Sequence, residues 1–124
     1  MPNRVLIVDD DHLVVLTLFR LLKNEGYEVV SVQNGQEAIE QVTQADFNLI
    51  ITDIRMPGVD GVEMIQKIRE ILKSSGRAPI PEVFITGFAE GDRHDKARDM
   101  EAADFIYKPF EKDQFLKSIK EHIR

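Results

Sequence analysis

At 124 residues the chain has room for one hydrophobic core and therefore for a single domain spanning residues 1–124. Its net charge of −6 argues against a direct nucleic-acid surface, and the lack of cysteine excludes disulfides, thiol nucleophiles and zinc–thiolate sites. No apolar run reaches membrane-spanning length and no signal-peptide core follows Met1, so the expected setting is cytoplasmic with no membrane partner.

In chain order, residues 5–8 (Val-Leu-Ile-Val) predict a strand buried on both faces, and it ends in Asp9-Asp10-Asp11. A helix over about 12–24 aligns Val15, Leu18, Phe19 and Leu22 on one face, with Asp11 as its N-cap and Gly26 as its stop. Residues 28–32 predict a second strand. Asn34-Gly35 makes a turn, and a short helix over 36–43 turns Ala38, Ile39 and Val42 inward. Residues 47–52 predict a third strand, and it too ends in a carboxylate, Asp53. Asp60 then caps a helix over 61–73 whose Met64, Ile65, Ile68 and Leu72 share a face. A polar, proline-bearing loop over 74–81 precedes a fourth strand, 83–86, which ends in the hydroxyl of Thr86. The helix over 92 to about 101 is weakly amphipathic, with only Ala97 and Met100 as apolar anchors. Its charged run Asp92-Arg93-His94-Asp95-Lys96 reads as a solvated face. A fifth strand, 105–107, ends in Lys108-Pro109, and a last helix over about 112–124 buries Phe115, Leu116, Ile119 and Ile123. Tyr107 reads as strand packing, and His12, His94 and His122 as scattered surface residues without metal-ligand spacing.

Five short strands alternating with five helices specify an α/β fold, a parallel sheet covered on both faces. Right-handed crossovers favour the flavodoxin-like, doubly wound (βα)5 arrangement with strand order 2-1-3-4-5. In that order the carboxyl ends of strands one, three, four and five share a corner. It holds Asp9, Asp10, Asp53, the Thr86 hydroxyl and the Lys108 ammonium. Crowded carboxylates raise one another's pKa unless a cation intervenes, and an all-oxygen set with room for water suits Mg²⁺. Dication, hydroxyl and ammonium together form a clamp for a phosphoryl group, with Asp53 placed to attack phosphorus in line.

These residues resemble the receiver domains of two-component response regulators. The match covers essentially the whole chain. It rests on Val8-Asp9-Asp10, on Asp53 with Met56-Pro57 and Asp60-Gly61, on Thr86-Gly87, and on Lys108-Pro109-Phe110, each at a strand's carboxyl end. The resemblance implies that Asp53 is the phosphoacceptor. It implies Mg²⁺ (or Mn²⁺) held by Asp10, Asp53 and the backbone carbonyl of Arg55, with Asp9 acting mainly through water. Thr86 would contact the phosphoryl group and move with it, and Lys108 would pair with an Asp53 or phosphoryl oxygen across a cis Lys108-Pro109 bond. Phe105 would be the switch aromatic that turns inward as Thr86 moves. The surface of the fourth helix, fifth strand and fifth helix would be read by an output partner, with homodimerisation through that face as an option. The donor would be a sensor histidine kinase or a histidine phosphotransfer protein. The domain would be a signalling module that catalyses only its own phosphorylation and dephosphorylation.

Two positions flanking the pocket, Arg55 and Phe88, match places that tune aspartyl-phosphate hydrolysis in this family, with Arg55 expected over the phosphoryl oxygens and Phe88 limiting water. The bland alternative is that both point to solvent. Where the family often has Gly-Ala before the fifth strand, this chain has Ala102-Ala103, which bears on how the fourth helix ends. Two other readings compete. One is a phosphorylation-independent docking module of the same fold. The other is a haloacid-dehalogenase-like phosphatase with Asp9 as nucleophile, which leaves the segment from Asp53 to Pro57 unexplained.

Overall fold

A computed structural model describes residues 3–87 and 91–124. Its elements in order are β1 Arg4–Val8, α1 His12–Asn24, β2 Glu28–Val32, α2 Gly35–Gln44, β3 Leu49–Thr52, α3 Gly61–Ser74, β4 Glu82–Thr86, α4 Asp92–Asp99, β5 Asp104–Tyr107 and α5 Lys112–His122. The strands form one parallel sheet in the order β2-β1-β3-β4-β5. Because parallel strands need crossovers, helices cover both faces, and β1, β3 and β4 are buried along nearly their whole length.

Side-chain alternation along these strands divides the core in two. Leu6, Val8, Ile50 and Phe84 face α2, α3 and α4 together with Met64, Ile65, Ile68 and Ala97. Val5, Ile7, Ile51, Ile85 and Ile106 face α1 and α5 with Leu18, Leu22, Phe115 and Ile119.

Local chemistry sets the helix boundaries. Asp11 caps α1 by accepting from the Leu13 and Val14 N–H groups, and Asp60 caps α3 by accepting from the Glu63 N–H at 2.9 Å. Asn34 caps α2 by accepting from the Glu37 N–H, while the Glu37 carboxylate accepts from the N–H of Gln33, the residue before the cap. The expected third strand loses Phe47 and Asn48. Asn48 leaves the ladder because its amide oxygen accepts from the Arg4 N–H and its own N–H donates to the Arg4 carbonyl, while Phe47 stays buried as core.

α4 stops earlier than its sequence suggests. Met100 is its C-cap, and Glu101 takes the left-handed conformation (φ 56°) that glycine would adopt at a lower cost. A hydrogen bond from an arginine, itself fixed by an ion pair to β4, holds that end. Arg69 on α3 donates from Nη2 to the Met100 carbonyl and grips the buried Glu82 carboxylate with Nε and Nη2, at 2.8 and 2.6 Å.

Candidate functional site

Register brings the site together. Val8 pairs with Thr52, so Asp9 and Asp53 leave the sheet side by side, and the Asp53 N–H donates to the Val8 carbonyl. Thr52 pairs with Phe84, so β4 extends two residues further before ending at Thr86. Thr86 pairs with Tyr107, and the Lys108 N–H donates to the Thr86 carbonyl, which starts the lysine side chain at the same edge. The Lys108-Pro109 peptide is cis, as the resemblance implied.

Lys108 Nζ then spans the two carboxylates, donating to Asp53 Oδ2 at 2.9 Å and to Asp9 Oδ2 at 3.2 Å. Asp53 Oδ1 accepts from the Ile54 N–H at 2.7 Å, so both of its oxygens are oriented. Asp9 Oδ1 accepts from the Asp11 N–H. Asp9 is only 3% exposed, Asp53 is half-buried and Asp10 lies open to solvent. Burial pushes the Asp9 carboxyl above its ordinary value. The Asp11 N–H and the Lys108 charge oppose that rise, and the Asp53 charge adds to it. For Lys108, burial disfavours the ammonium, but the hydrogen bond and charge of Asp53, with help from Asp9, outweigh it and hold its pKa above the ordinary value.

The expected metal ligands flank one corner without forming a finished cage. Among the described residues, no three His, Asp or Glu side chains converge as a ready ligand set. The Lys108 ammonium lies between Asp9 and Asp53 and supplies positive charge to both carboxylates. The chemistry of the donors still fits a hard cation, since all of them, the Asp10 and Asp53 carboxylates and the Arg55 carbonyl, are oxygens, and Asp10 is exposed.

Two supporting features were harder to see in the chain. A Cβ at Gly61 would overlap the Asp53 carbonyl oxygen and sit 3.0 Å from Ile54 Cα, and the Gly61 N–H donates to the Ile54 carbonyl at 2.8 Å. Only glycine lets α3 start this close to the Asp53 main chain; the Asp60-Gly61 pair was the available signal. His94 is the second, and here the sequence reading is corrected. Its ring is not a scattered surface group: Nε2 lies 2.9 Å from Tyr107 Oη, and the side chain is 11% exposed. Spacing from the buried Ala97, three residues on, could have flagged it. Tyr107 likewise is not simply packed in the strand, being 39% exposed and tied to His94.

Phe105, on β5, is partly buried and packs against the core beneath α4. Thr86 is fully buried at the end of β4. The Arg55 side chain leans across to the start of α4, its Nη2 3.6 Å from where a Gly91 Cβ would stand. Phe88 lies outside the described residues. The run from Asp92 to Lys96 is not wholly solvated, since Arg93 Nε pairs with Asp60 Oδ2 at 2.9 Å and its Nη2 reaches Glu63.

A family model described as "Response regulator receiver domain" matches residues 5–120. The chain belongs to that family. It is 36% identical over 121 residues to the transcriptional regulatory protein PdtaR of Mycobacterium tuberculosis, covering 97% of this chain and 56% of that protein. It is 27% identical over 123 residues to the sporulation initiation phosphotransferase F of Bacillus subtilis, covering 99% of this chain and 95% of the relative. Its fold superposes with a TM-score of 0.86 on the crystal structure of a CheY-like response regulator receiver domain protein from Methanospirillum hungatei. The two are 28% identical, with 98% of this chain and 93% of the other covered. The receiver domain is therefore a phosphorylation-controlled switch of two-component signalling, a signalling module. It spans only about half the length of PdtaR.

Proposed function

We propose that residues 1–124 act as a single receiver unit in which Asp53 accepts a phosphoryl group from a phosphohistidine. The observation that carries this reading is the Lys108 ammonium bridging Asp53 and the buried Asp9 at the carboxyl edge of the sheet. An Asp53 oxygen attacks phosphorus, the P–N bond to the donor imidazole breaks, and an acyl phosphate forms. The Ile54 N–H and Lys108 fix the carboxylate plane for that approach, and Lys108 is then positioned to neutralise a phosphoryl oxygen. The Thr86 hydroxyl, at the same edge, donates to another. Hydrolysis reverses the state: water attacks phosphorus and the Asp53 carboxylate leaves.

Mg²⁺, with Mn²⁺ as a substitute, would be held by Asp10, Asp53 and the Arg55 carbonyl with Asp9 behind, and when bound it supplies charge neutralisation for the phosphoryl oxygens. Asp9 is a poor candidate for the nucleophile of a phosphatase. It is 3% exposed, and burial holds its carboxyl above its ordinary pKa, so it resists ionisation. The relative named a phosphotransferase supports phosphoryl exchange; the donor would be a sensor histidine kinase or a histidine phosphotransfer protein, and the setting cytoplasmic. An output partner, or a second copy of the chain, would read the face formed by α4, β5 and α5, and Thr86 and Phe105 would relay the change. Arg55, whose guanidinium reaches toward the start of α4, and Phe88 would set the lifetime of the phosphorylated state.

Intact mass after incubation with Mg²⁺ and acetyl phosphate tests the assignment. Wild type should gain one phosphoryl group and Asp53→Asn none, and a label that persists in Asp53→Asn would overturn it. Followed over time, the label should leave faster from Arg55→Ala and Phe88→Ala; unchanged decay in both would remove them as lifetime determinants.

A further inference from the structure

α4 presents His94, Ala97 and Arg98 to the sheet at the i, i+3, i+4 spacing of one helix face. Ala97 is fully buried and lets the helix come close. The two longer side chains close around Phe105. The His94 ring meets Phe105 edge-on, with centroids 5.3 Å apart and planes at 74°, and the Arg98 guanidinium carbon lies 5.1 Å from the Phe105 ring centroid. Phe84, fully buried, touches the same ring at 5.2 Å and Tyr107 at 5.6 Å. His94 is itself pinned, with Nε2 2.9 Å from Tyr107 Oη and its ring 5.8 Å from the tyrosine ring. Its other nitrogen, Nδ1, is buried without a hydrogen-bond partner among the described residues, and the Asp95 carboxylate is 3.8 Å from it. The ring is thus held on one side by a hydrogen bond and on the other by packing and a longer-range carboxylate contact.

We infer that His94, anchored by Tyr107, is the positioning residue for Phe105. It keeps that ring against Phe84 before any phosphoryl group arrives. A phenylalanine has no hydroxyl with which to find a polar partner at the surface. An outward swing would expose its whole ring, pull it from the Arg98 cation and break the bond between His94 and Tyr107. Holding the ring inward in the unphosphorylated chain keeps the domain near the conformation that the phosphoryl group selects, so less reorganisation accompanies transfer. This inference rests on the reading of Phe105 as the moving aromatic.

The test is ¹³C-edited NMR of the Phe105 ring in the full chain without phosphodonor, for wild type, His94→Ala and Tyr107→Phe, beside the rate of Asp53 labelling by acetyl phosphate. In wild type the ring should give one set of resonances displaced by the surrounding rings. In His94→Ala they should move toward free-chain positions, and labelling should slow by about two- to tenfold. Tyr107→Phe, which keeps every ring and removes only the hydroxyl, should shift both readouts in the same direction by less, and it carries the test if His94→Ala fails to fold. An unchanged ring in either folded variant overturns the proposal. So does a displaced ring with an unchanged labelling rate. Wild type that takes no label overturns the phosphoacceptor reading instead, and the ring resonances then decide the role of His94 alone.

Discussion

Asp9 and Lys108 illustrate how a shared site divides its costs between residues. The Asp9 carboxyl is raised chiefly by burial, so its folded pKa lies above the ordinary 3.8. A raised carboxyl favours the folded state most when protonated, below 3.8, and that advantage is lost as pH climbs through the folded pKa. At neutral pH the ionised Asp9 is therefore a liability that function retains. Asp9→Asn should raise the melting temperature at neutral pH in metal-free buffer by a few degrees, about 1 kcal/mol. Its advantage should shrink as pH falls toward 3.8. Thermal melts of both proteins across that range check it, and an advantage independent of pH would mean that packing, not charge, is relieved.

Among the elements, α3 shows most clearly how a structural need is expressed as one residue. Its first turn must pass close to the Asp53 main chain, and Gly61 permits that passage. Replacing Gly61 by alanine gains helix propensity of about 1 kcal/mol. The added methyl meets backbone on both Asp53 and Ile54, which cannot yield as a flexible side chain would. Overpacking should win, and urea unfolding should show Gly61→Ala destabilised by about 3 kcal/mol. A neutral or stabilising result would show that the acceptor loop shifts freely. α2 is seated in the same way, since a Cβ on Gly35 would stand 2.8 Å from the Val59 carbonyl oxygen. The two helices thus clasp the segment that follows Asp53.

Across the whole molecule, stability is unevenly distributed. α1, α3 and α5 bury apolar faces against the sheet, whereas α4 buries only Ala97, has no side-chain N-cap and is tied to α3 at both ends by arginines, Arg93 at its start and Arg69 at its finish. Both arginines are more than a third exposed while their carboxylate partners, Asp60 and Glu82, are buried, so salt can still weaken these ties. Amide hydrogen exchange should therefore find α4 the least protected of the five helices, and raising ionic strength should lower its protection more than that of α3. Equal protection of α4 and α3 would overturn this view. The uneven distribution suits a switch, because the element that carries His94 and Arg98 can open without unfolding the sheet.

What the sequence by itself determined about this protein is whatever depends on local periodicity and end chemistry. Apolar runs marked the strands, helical spacing marked the buried faces of α1, α3 and α5, and Asp11 and Asp60 were legible as caps because a cap acts on its own first turn. The acidic, hydroxyl and lysine residues at the strand ends were legible for the same reason, as was their meeting once the strand order was taken from the winding rule. Only the tertiary structure decided how they share charge. Whether Lys108 reaches one carboxylate or two depends on the distance between strands β1, β3 and β5, which no sequence interval records. The same holds for Arg69 and Glu82, and for His94, Tyr107 and Phe105, which are polar or isolated in the chain and acquire partners only when α4 packs on β5. Periodicity reports which face of an element avoids water. It carries no information about which polar groups meet when two such faces close, because that depends on side-chain reach and helix placement set by the core as a whole.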